Sequence, residues 1–175
     1  MVLEAVRGEY KRYRLLCESA MAQLEERQLF LAPTVDSNSI GVLVQHMAGN
    51  LASCFTDFLD SDGEKDWRNR DSEFEPVLGD RESLLACWNA GWGVLESTLA
   101  QLDDSQLGLT VTIRKQPLSV VEALERSLAH VAYHAGQIVL LARVHSGSDW
   151  KSLSIAKGAS NLYNDNPDRE RVPPA

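Results

Sequence analysis

Apolar residues recur three and four positions apart in four long stretches of the chain, the spacing of a single helix face. The first stretch, roughly residues 2–27, puts Val2, Val6, Tyr13, Leu16, Ala20 and Leu24 on one stripe. It dissolves before Pro33, which lacks the amide a continuing helix needs. The second opens after Asp36-Ser37-Asn38-Ser39, a cluster of N-cap types. It carries Ile40, Leu43, Val44, Met47, Leu51, Phe55 and Phe58 and is expected to run to Ser61-Asp62-Gly63. The third starts at Asp80 and aligns Leu84, Trp88, Trp92, Leu95, Leu99 and Leu102. Two tryptophans at that spacing read first as core and only second as an aromatic ligand box. The fourth opens with the capping box Ser119-Val120-Val121-Glu122 and continues through Leu124, Leu128, Val131, Ala135, Ile138 and Ala142.

The connections are of two kinds. Residues 62–79 are long and polar, with Trp67, Arg68, Asn69, Arg70 and Asp71, and loops of that length are uncommon unless ordered for a purpose or mobile. Leu109-Thr110-Val111-Thr112-Ile113-Arg114 alternates as a strand does, and Lys115-Gln116-Pro117 then suggests a small hairpin or an extended crossover. Together these features predict an all-α fold, a four-helix bundle with a short extended crossover before the last helix. The bundle domain is expected over residues 1–147. A C-terminal extension, 148–175, would pack on it through Leu153, Ile155, Leu162 and Tyr163 and fray over its last ten residues.

Charge and composition narrow the function. A net charge of -8 argues against a binder of nucleic-acid backbones and against docking to anionic membranes. No apolar run approaches the roughly eighteen residues of a membrane span. Met1-Val2-Leu3-Glu4-Ala5-Val6-Arg7 carries charge where a signal peptide needs its apolar segment, so a cytoplasmic protein is expected. Cys17, Cys54 and Cys87 are scattered singly, the pattern of reduced, buried thiols.

The chemistry lies in the histidines. His130 and His134 stand four residues apart, about 6 Å along a helix axis, and so project from one face. Counted at about 100° per residue, both sit on the shoulder of the apolar seam with Ser127, Gln137 and Leu141. His46 occupies the corresponding shoulder of the second helix, with Asn50 nearby. Three imidazoles from two helices would suit a divalent first-row ion such as zinc or nickel, with positions left for water or substrate. Solvent-facing or carbonyl-bonded histidines fit the same spacing. The fourth histidine, His145, is adequately explained as a group at a helix C-terminus. Val131-Ala132-Tyr133 stands between the pair, so neither the H-E-x-x-H metalloprotease motif nor the Glu-x-x-His of di-iron bundles is present. A metal here could activate a bound thiol or water, or polarise a carbonyl. Arg68 and Arg70 are candidate anion clamps, or partners of their acidic neighbours, or residues of a dimer interface. Asn50 and Gln137 are candidate orienting groups, or simply solvated helix polars.

Three segments, Ser39–Asn50, Asp62–Asp71 and Leu128–Ile138, together with Asp149–Ile155, carry a resemblance that covers nearly the whole chain. The chain resembles the DinB-like (YfiT-like) superfamily, and within it an uncharacterised bacterial branch. That resemblance implies an up-down-down-up bundle, a homodimer, and a metal held by His46, His130 and His134. It implies relatives that are thiol-dependent transferases and isomerases; the leading expectation for this chain is a metal-dependent transferase or hydrolase acting on a small-molecule substrate, with a low-molecular-weight thiol as the candidate cosubstrate. The competing expectation is a metal-stabilised dimer with a binding or stress-response role and no turnover.

Overall fold

The computed structural model describes residues 2–167. The chain is mostly helical, with six α-helices and one two-stranded sheet among the described residues. The four long helices are α1 (Val2–Met21), α3 (Ile40–Phe55), α4 (Arg81–Gln101) and α5 (Val120–Ser146); α2 (Glu26–Leu29) and α6 (Ser160–Asp165) are short. Helix α3 packs on α4 and α1 on α5, while α3 also touches α5. One apolar core joins them, with Trp88, Trp92, Leu95, Leu124, Ile138 and Phe55 fully buried. Both tryptophans are therefore core, as their spacing predicts.

Helix starts follow the caps read from the sequence. The Ser39 hydroxyl accepts from Val42 N, and the Asp80 carboxylate from Ser83 N. At α5, Ser119 and Glu122 satisfy each other's free amides as a capping box. Asp104, a hundred residues away in sequence, accepts from the amides of Val2 and Leu3 at the free end of α1.

The ends depart from the pattern. Helix α1 stops at Met21, and the chain turns before Glu25 and Gln28 build a second capping box that starts α2. Its buried stripe is Leu3, Tyr10, Cys17, Ala20 and Met21, whereas Val2 is exposed and Val6, Tyr13 and Leu16 are half-buried. Tyr10 sets that rotation: its ring packs edge-on against Phe55 and Trp92, and its hydroxyl donates to Leu124 O at 3.1 Å. Helix α3 ends at Phe55 rather than near residue 61: Thr56 turns to an extended ψ of 128°, and Asp57 follows with a left-handed φ of 47°. Phe58 is still buried, but from a turn.

Strand β1 (Thr110–Ile113) pairs antiparallel with β2 (Gln116–Ser119) in a hairpin. Arg114 and Lys115 turn the chain with φ of 54° and 62°, a geometry usually given to Asn or Gly. Asp62 supports it, its carboxylate accepting from Arg114 N at 2.8 Å and Lys115 N at 2.7 Å. Gly63 N donates to Thr112 O at 2.8 Å, and Ser53 on α3 donates to Gly63 O at 2.7 Å. The start of the long polar loop is thus tied to both hairpin and helix. Beyond α5, Trp150 and Leu153 pack against the core, and Lys151 exchanges two hydrogen bonds with the Gln23 side chain. Leu162 is exposed, so it does not anchor this segment. The expectation of fraying over the last ten residues falls, from residue 168 onward, outside the described residues.

Candidate metal centre

Helices α3 and α5 bring His46, His130 and His134 together. Their ligating nitrogens all lie within 4.8 Å of one another. His130 Nε2 stands 3.1 Å from His46 Nε2 and 3.1 Å from His134 Nε2. The far nitrogens of the outer two rings are committed as donors. His46 Nδ1 donates to Glu73 Oε2 at 2.8 Å, and His134 Nδ1 donates to Gln137 Oε1 at 2.7 Å. A neutral imidazole has one N–H, so both Nε2 atoms present bare lone pairs. His130 Nε2 lies between them and can donate to only one. Its Nδ1 is buried with no hydrogen-bond partner among the described residues.

With the His130 proton on Nδ1, three Nε2 lone pairs face one another, and they repel unless something positive sits between them. Ligand nitrogens about 2.0–2.1 Å from a metal are about 2.9 Å apart at right angles and about 3.3 Å apart at tetrahedral angles. The 3.1 Å separations fall between the two. The donor set therefore fits a divalent ion, and these three histidines could hold one.

The polar loop supplies the support. A single 3-10 turn, Asp71–Phe74, lies against α3. It places Glu73 on His46 and stacks the Phe74 ring on the imidazole with centroids 4.7 Å apart. Arg68, whose side chain is 3% exposed, donates to both Glu73 oxygens at 2.7 and 3.0 Å. Burial opposes ionisation of Glu73, but the His46 and Arg68 bonds outweigh it and hold the carboxyl below its usual range. Gly49 leaves the room: a Cβ there would come 2.4 Å from Glu73 Oε1. Arg68 is therefore a buried partner of Glu73 and not a clamp over the site.

Other candidates separate from the centre. His145 Nε2 bonds Leu31 O at 3.1 Å, fastening the end of α5 to the segment after α2. Asn50 lines a neighbouring cavity, and Gln137 meets the orienting role through His134. All three cysteines are free thiols. Burial pushes Cys17 up to about 12 and raises Cys54 and Cys87, so none is poised as a thiolate. The expected shoulder pocket, open at one side, is more closed than the helix count alone suggests, because the loop buries His46.

Burial, followed by the neighbouring His134 and His46, pushes His130 down from 6.5 to about 4. The unfolded chain then binds more protons than the folded one between those values, so stability is full above 6.5 and falls as pH drops toward 4. The metal-free protein should lose Tm across that window, and His130→Gln should lose less. Equal slopes in the two proteins would contradict a buried neutral ring.

Residues 1–159 match the family described as "Protein of unknown function (DUF1572)", and the chain belongs to that family. Searches of curated proteins and of solved structures returned no match. Among the described residues, no helix is long and apolar enough to cross a membrane.

Proposed function

We propose that the chain is a DinB-like four-helix bundle whose centre is a divalent-metal site held by His46, His130 and His134. Residues 1–147 form its bundle domain and 148–175 its extension. The observation that carries this reading is the convergence of three imidazole nitrogens, His130 Nε2 standing 3.1 Å from each of the other two, whose ring protons Glu73 and Gln137 hold on the far Nδ1 atoms. Zinc or nickel suits a neutral three-imidazole set. Such an ion supplies Lewis acidity, lowering the pKa of a bound thiol or water.

The activity proposed is transfer to, or hydrolysis of, a small molecule in the cytoplasm. The chain's own residues prepare for it. Glu73 and Gln137 fix the tautomers and ring orientations, Arg68 keeps Glu73 ionised, and Phe74 shields His46 from water. With the cysteine thiols raised by burial, the nucleophile proposed is a low-molecular-weight thiol or water rather than a protein cysteine. A homodimer is supported by the apolar residues that α5 leaves exposed on its outer face, Tyr133, Leu140 and Val144.

A second reading, a metal-stabilised dimer without turnover, is favoured by one observation. Of the carboxylates beside the histidines, Glu73 is bound by His46 and Arg68, and Glu64 by Arg114, so no free carboxylate base stands there among the described residues. Chain loaded with zinc or nickel and offered thiols with electrophilic substrates should consume electrophile above the blank. Consumption equal to the blank with every metal and thiol, in chain that holds one ion, would replace the first reading with the second. Glu73→Gln should weaken metal binding by about 10–100-fold, the usual cost of losing such an orienting carboxylate. Unchanged affinity in a zinc titration would remove Glu73 from the account.

A further inference from the structure

A cavity of about 190 Å³ opens beside the centre, with His46 and His130 in its wall. We propose that it binds a small organic anion, with an oxyanion head held at Arg70 and Arg126 and an apolar body against Phe55 and Phe58. As the substrate pocket of the proposed centre this rests on the metal reading; as an anion site it can be tested on the metal-free chain.

The charge distribution argues for the head group. Four arginines line the cavity, against one carboxylate, Glu64, in a protein of net charge -8. Arg68 is spent on Glu73, and Arg114 is spent on Glu64 at 2.9 Å. Arg70 and Arg126 have no carboxylate within ion-pair distance among the described residues. The Arg70 guanidinium lies over the Phe74 ring at 5.3 Å, which positions it without using its N–H donors. Two planar forks in the wall of one cavity, neither tied to a carboxylate among the described residues, match an oxyanion.

The floor argues for the body. Phe55, Phe58 and Ile113 line it, and the volume compares with the roughly 150 Å³ apolar cavity that accepts benzene. Ser127 is 8% exposed and in the lining. Its hydroxyl lies near Tyr10 but completes no hydrogen bond among the described residues. A buried hydroxyl left without a partner is costly, and a ligand atom entering the cavity would satisfy it.

The test is calorimetric titration of metal-free and zinc-loaded protein with benzoate, phenyl phosphate and the neutral isostere benzamide. Benzoate or phenyl phosphate should bind the metal-free chain, with benzamide weaker by roughly tenfold or more, the scale of one lost charge-assisted contact. Arg70→Gln with Arg126→Gln should lose a similar factor for the anion while still taking up one zinc per chain. His134→Ala should do the reverse, losing zinc and keeping the anion. Benzamide binding as tightly as the anions, an unchanged affinity in the double arginine variant, or no binding of either anion would each overturn the proposal. A chain that binds the anion but no zinc would instead sink the metal reading alone.

Discussion

Replacing His134 by alanine is expected to abolish retention of a divalent ion through dialysis, where the parent chain should keep one. Two imidazoles remain, His46 from α3 and His130 from α5, and they cannot close the set that three nitrogens make. The loss exceeds the about 10–100-fold expected when an orienting partner is removed, because a donor atom is gone rather than turned. Folding is not the cause. Among the described residues the His134 ring nitrogens hydrogen-bond Gln137 and His130, and the ring also packs against His46 and Tyr133, so alanine strands few buried polar groups. Metal per chain measured by elemental analysis, alongside circular dichroism, checks both statements. Full stoichiometry in the variant contradicts the ligand assignment.

Gly91→Ala is the substitution with the largest expected effect on stability. A Cβ at residue 91 would lie 2.5 Å from Ala48 Cα and 2.8 Å from Ala48 O, backbone atoms that cannot swing aside. The two helices can accept it only by separating, and α3 and α4 form the principal helix contact of the fold. Overpacking of this kind costs about 1–3 kcal/mol, and the backbone clash puts it near about 3. For a domain of this size that lowers Tm by about 6–12 °C. His46 lies two residues from Ala48 on α3, so metal affinity should fall together with Tm. A variant with unchanged Tm would mean that the helices do not touch at this glycine.

The core and the caps were legible because both are written locally. Apolar spacing marked Trp88, Trp92 and the α5 seam, and Ser39, Asp80 and Ser119 announced helix starts. His130 and His134 were legible for the same reason, since four residues on one helix guarantee a shared face. The meeting with His46, across 84 positions, was implied by the family resemblance and could not follow from periodicity. Glu73 was missed. It sits in a loop without period, and its role depends on Gly49 leaving space one turn along α3 from His46. A buried pair of Arg68 and Glu73 five residues apart has no helical spacing to reveal it. The early ends of α1 and α3 were hidden too, because apolar residues such as Leu24 and Phe58 remain buried after the helix has stopped.

The most direct measurement is X-ray absorption at the zinc edge of the zinc-loaded chain. Scattering from three imidazoles at about 2.0–2.1 Å is expected, with water oxygens filling the remaining positions. A sulfur shell at about 2.3 Å, or fewer than three imidazoles around the ion, would contradict it.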